Sequence, residues 1–113
     1  MLAEDHRKAA EDIEVVLAPL HPIPRADRVI IESAWGAAFH WIAYSCETKH
    51  HQHQESHAKL VSFLRSLGEI AAADWWATLE RFRQGGWYGK NTDPAAAQKA
   101  LAVLDQIRTW AST

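Results

Sequence analysis

Apolar residues recur at intervals of three and four along most of the chain, and short alternating runs are absent, so the pattern predicts helices and no sheet. In the first segment Ala9, Ala10, Ile13, Val16, Leu17 and Leu20 form one stripe opposite Glu4, Glu11, Asp12 and Glu14. That is the signature of an amphipathic helix over residues 3–18. Pro19, Pro22 and Pro24 then forbid its continuation, because proline lacks the amide donor and restricts the residue before it.

From Arg25 to Glu47 the pattern changes, with Ile30, Ala34, Ala37, Ala38 and Trp41 on one face and Ile31, Trp35, Phe39, Ile42 and Cys46 on another. A helix apolar on most sides is either central in a bundle or covered by a partner chain. The polar run Thr48 to Gln54 interrupts the pattern. A third helix follows, with His57, Leu60, Val61, Leu64 and Leu67 on one face and Gly68 as its stop. A fourth runs from Glu69 to Gln84 on Ala72, Trp75, Trp76, Leu79 and Phe82, where Gly85 and Gly86 end it or loosen its last turn. Asp93 and Pro94 read as the cap and first residue of a fifth helix, which Ala97, Ala100, Leu101, Leu104 and Ile107 carry to residue 111. Short connectors favour antiparallel neighbours, so the fold class is all-α: an up-and-down bundle of four to five helices, one domain over residues 1–113.

Composition adds bounds rather than a function. With 48% hydrophobic and 23% charged residues the chain matches neither a disordered nor a membrane profile. No apolar run reaches the roughly 18 residues of a spanning helix, the charged start lacks a secretory h-region, and Cys46 is alone. The expectation is a cytoplasmic protein in a reducing compartment, without a membrane partner. The net charge of −2 argues against a large nucleic-acid footprint. The distribution is uneven: residues 49–90 carry six Lys and Arg against four Asp and Glu, while residues 1–24 carry two against five.

Three segments together resemble the HEPN superfamily, helical bundles named for higher eukaryotic and prokaryotic nucleotide-binding domains. Ala34-Trp35-Gly36-Ala37-Ala38-Phe39-His40 is similar to the family's Ala-Tyr-Tyr-Ala-Ala-Phe-His pattern, with Trp35 and Gly36 in place of the tyrosines. Ser56-His57 resembles the Ser/Thr-His start of the next family helix. Arg83-Gln84-Gly85-Gly86-Trp87-Tyr88-Gly89 keeps the Arg-to-Tyr spacing of an Arg-x-x-Ala-Asp-Tyr-Gly variant. The resemblance spans residues 28–111 and implies a bundle that pairs as a homodimer and binds RNA or nucleotide, in a toxin-antitoxin or defence setting. Active members are similar in using Arg-x(4–6)-His as a metal-independent ribonuclease. Here Tyr88, Gly89 and Lys90 stand at the required distances from Arg83, and Gly86, Trp87 and Tyr88 from Arg81. None is histidine, and Tyr88, with a reference pKa of about 10, is a poor proton shuttle at neutral pH.

The candidate ligand-binding residues are therefore Arg81, Arg83, Trp87 and Tyr88: guanidinium groups to grip phosphate and aromatics to stack on a base. The competing reading makes Arg81 and Arg83 solvated helix-end cations and the aromatics loop packing. The leading expectation is a noncatalytic RNA- or nucleotide-binding module. The alternatives are an interaction bundle for a protein such as a nucleotidyltransferase, or a degenerate ribonuclease borrowing His40, His57 or a histidine across the dimer.

The run His50, His51, His53 and His57, with Glu47 or Glu55 as oxygen donor, has the residue types of a transition-metal site, since two histidines four apart on a helix can share an ion. Most of the run lies in the polar connector, however, and only one cysteine is present. These histidines are assigned to solvent, with no metal and no cofactor expected. His40 reads as a hydrogen-bonded core histidine and Cys46 as a small buried hydrophobe. Six tryptophans exceed what one small core easily covers, which favours an interface.

Overall fold

The computed structural model describes residues 2–20, 26–88 and 94–113, and along residues 85–88 only the backbone. The expected all-α bundle is present: α1 (Ala3–Leu17), α2 (Asp27–His50), α3 (Leu60–Ser66), α4 (Ile70–Tyr88) and α5 (Pro94–Ala111), with 3-10 turns at Ala18–Leu20 and His57–Lys59. Among the described residues no helix is long and apolar enough to cross a membrane. Pro22, Pro24 and the expected Asp93 cap lie outside the described residues.

The two apolar faces of α2 are explained within one chain, because α2 packs against α1, α4 and α5. Ile30, Ile42, Ala34, Ala37 and Ala38 are buried to within a few per cent of completely. Trp76 of α4 is fully buried and stacks on Trp35 of α2 at a centroid separation of 5.3 Å. Trp41 is buried as well, whereas Trp75 and Trp110 are half-buried and meet edge to face. Most of the described indole surface is thus absorbed by the chain itself.

Two expectations about α1 need correction. Val16 does not join the core stripe but is 65% exposed, and the buried positions are His6, Ala10 and Leu17. The stripe is rotated because its partner is the central helix, and a histidine occupies a position that apolar counting passes over. Glu14 is not a solvated residue of the polar face either. It accepts the Trp41 Nε1 proton at 2.6 Å and forms an ion pair with Arg108 of α5, joining three helices.

Helix ends account for the remaining geometry. Gly68, at φ +80°, closes α3 with the double hydrogen bond of a Schellman turn, Glu69 N to Leu64 O at 2.9 Å and Gly68 N to Arg65 O at 3.0 Å. α2 runs one turn past the predicted end at Glu47 and stops at His51, which takes the left-handed conformation at φ 58°. The polar run therefore begins inside the helix, where Lys49 and His50 suit the negative end of the macrodipole. Gly85 and Gly86 do not end α4, which runs to Tyr88.

Candidate functional site

The left-handed turn at His51 reverses the chain, and residues 52–56 return along the end of α2. His53 Nδ1 meets Glu47 Oε2 at 2.7 Å, and His53 Nε2 meets Glu55 Oε1 at 2.6 Å. The four-histidine run is split into separate environments. His50 Nε2 bonds Glu69 Oε1 at 3.1 Å, and the other Glu69 oxygen accepts Trp110 Nε1 at 3.0 Å. His51 is exposed. His57 packs edge-on against Trp35 and Phe39, each at a centroid separation of 4.5 Å. The solvent assignment fits His51 and His57, both exposed, but fails for His53, whose side chain is only 17% exposed.

The residue that sequence reasoning missed here is His6. It is fully buried on the core face of α1, its Nδ1 lies 2.9 Å from His40 Nδ1, and its ring stands edge-on to that of His53. Its Nε2 is buried with no hydrogen-bond partner and points toward Glu55, 3.9 Å from Oε1. The only signal for it was a histidine at a 6, 10, 13, 17 helical spacing with Ala10, Ile13 and Leu17.

Electrostatics separate these imidazoles. Burial is the largest influence on His6 and His40 and lowers both below the ordinary 6.5; at His6 the neighbouring His40 and His53 push the same way. His53 is raised, first by its hydrogen bond to Glu47 and further by Glu55. His40 is hydrogen-bonded to His6 as expected, but it is half-buried rather than buried in the core. Cys46 is buried, and loss of solvent raises its thiol to about 12.

Of the predicted phosphate-binding residues whose side chains are described, Arg83 is the one that lies against Trp35. Arg83 Nε donates to both oxygens of Glu32, at 3.1 and 2.9 Å, and the guanidinium carbon lies 4.0 Å over the Trp35 ring centroid. Arg83, Glu80 and Gln84 of α4 line a cleft of about 390 Å³ with His57, Val61 and Trp76. Arg81 points elsewhere, exposed and bonded to Thr78 Oγ1 at 3.3 Å. The structure thus brings Arg83 together with His57 and leaves Arg81 apart. The side chains of Trp87 and Tyr88 lie outside the described residues.

Comparison with family models, curated proteins and solved structures finds no match to this chain.

Proposed function

We propose that the chain is a noncatalytic HEPN-like module that binds a phosphate-bearing nucleotide, free or within RNA, in the cleft between the His57–Lys59 turn with α3 and the C-terminal half of α4. The observation that carries this reading is that Arg83 and His57, from elements far apart in sequence, line one cleft of about 390 Å³ and both pack on Trp35. Arg83 supplies a planar donor fork suited to phosphate. Glu32 competes for it and Glu80 adds a second negative charge at the wall, which disfavours tight binding of a bare polyanion. Modest, salt-dependent affinity is the consequence. A homodimer and a toxin-antitoxin or defence setting accompany this reading through the resemblance alone.

Fluorescence anisotropy with a single-stranded RNA oligonucleotide at two salt concentrations tests it. Binding that weakens with salt and is lost in folded Arg83→Ala supports the reading, and unchanged binding in that variant removes it. Cleavage of the probe that requires both Arg83 and His57 would instead make the chain a ribonuclease.

A second reading, a protein-interaction bundle, is favoured by an apolar groove of about 390 Å³ beside Trp75, Thr109 and Trp110 on the α4 and α5 surface. A nucleotidyltransferase is the kind of partner the resemblance implies. A salt-insensitive hetero-complex that is lost in Trp75→Ala, with RNA binding absent, would decide for it.

A further inference from the structure

We propose that His6, His53 and Glu55 form a binding site for a divalent transition-metal ion, with Zn²⁺ as its reference occupant and a water in the fourth position. One ligand atom from each residue lies within 4.8 Å of the other two. The two separations that Glu55 makes bracket what a tetrahedral ion needs. Metal–ligand distances of about 2.0–2.1 Å place neighbouring ligands roughly 3.3 Å apart. His53 Nε2 and Glu55 Oε1 are 2.6 Å apart, and His6 Nε2 and Glu55 Oε1 are 3.9 Å apart. The exposed Glu55 side chain can swing to even these distances without disturbing the core.

An independent observation comes from His6 itself. Its side chain is 1% exposed, and its Nε2 faces Glu55 from too far away for a hydrogen bond, leaving a buried polar atom without a partner. Buried polar atoms are rarely left so, and a bound ion is one of the recognised explanations. The surroundings also have the order that metal centres require. The other nitrogen of each histidine is already engaged: His53 Nδ1 by Glu47 at 2.7 Å and His6 Nδ1 by His40 at 2.9 Å. Such partners fix the tautomer and the ring direction of a metal-binding imidazole.

The ion takes the place of the proton that His53 Nε2 shares with Glu55, and it joins the start of α1 to the connector after α2. Two imidazoles and one carboxylate are borderline to hard donors, which suit Zn²⁺, Co²⁺ or Ni²⁺ better than Ca²⁺ or Cu⁺. Of the residues that suggested a metal in the sequence, His53 and Glu55 take part and the other histidines of the run do not. The missing ligand comes from 47 positions earlier, which is why the connector alone looked insufficient.

The test uses the full chain without a histidine tag. Titration with Zn²⁺, with Co²⁺ absorption as a coordination probe, is expected to give one ion per chain and the visible bands of a four-coordinate site. Zn²⁺ at a hundredfold excess over Kd is expected to raise Tm by about 10 °C. Glu55→Gln and His53→Ala are each expected to weaken binding at least tenfold, while His51→Ala leaves it unchanged. Because His6→Ala opens a cavity in the core, the two more accessible positions decide the outcome, with folding of each variant checked by circular dichroism. Absence of 1:1 binding for both Zn²⁺ and Co²⁺, or retention of affinity in either variant, overturns the proposal.

Discussion

Arg83 places its guanidinium carbon 4.0 Å over the centroid of Trp35 while its Nε is held by both oxygens of Glu32. The predicted binding arginine is therefore also a structural one. Arg83→Ala is expected to lower stability by about 1–2 kcal/mol through loss of the cation–π contact and a partly exposed ion pair. Glu32→Gln removes the competing charge and keeps the arginine, so RNA affinity is expected to rise severalfold. Denaturant titration of the first variant and anisotropy on the second check the two roles separately.

Glu14 is the acceptor shared by Trp41 and Arg108. Trp41 is buried, so Glu14→Ala leaves an indole N–H unpaired and is expected to cost about 1–3 kcal/mol. Glu14→Gln keeps one acceptor and should cost less. Urea midpoints of the two variants, read against wild type, give the order.

Gly36 sits inside α2, where an added Cβ would stand 3.7 Å from Ile13 Cδ1, an ordinary contact. With no clash to offset the helix-propensity gain, Gly36→Ala is expected to stabilise by about 1 kcal/mol and raise Tm by roughly 4 °C. A thermal melt is sufficient to check it.

In metal-free protein held in EDTA the histidines make opposing contributions. His6 and His40 titrate below 6.5 in the folded chain, so their contribution is complete above 6.5 and is lost as pH falls below it, where the unfolded chain takes up protons that the fold resists. His53 titrates above 6.5 in the folded chain, so its contribution is complete below 6.5 and is lost as pH rises through the raised value. His53→Ala is therefore expected to lose stability more steeply than wild type between pH 7 and 5, and to lack the decline on the alkaline side. Urea midpoints taken from pH 5 to pH 9 measure both slopes.

Cys46 is buried, with its thiol raised to about 12, so at pH 8 almost none is thiolate. Native protein is expected to resist a thiol reagent that modifies the urea-unfolded chain completely. Rapid modification of the native protein would show that α2 opens locally.

The helices were legible because a 3.6-residue repeat is a local property of the chain. Gly68 as a stop and Pro94 as a start follow from backbone chemistry that neighbours do not override. The end of α2 was not, because Thr48 to His50 are polar yet helical, and the break falls on a histidine in a conformation that sequence favours only weakly. Of the candidate site, Arg83 and His57 were both singled out, but their shared cleft depends on how α3 packs against α4.

By itself the sequence determined the all-α class, the apolar character of α2 and the presence of a histidine-rich connector, since each depends on residue type and spacing along one segment. Only the tertiary structure decided that α2 is covered on two faces by its own chain and that Arg83 is shared between Glu32 and Trp35. It also decided that His6 faces His53 and Glu55. Periodicity says which side of a helix turns inward. What that side meets is set by contacts between segments tens of residues apart, which no local pattern encodes.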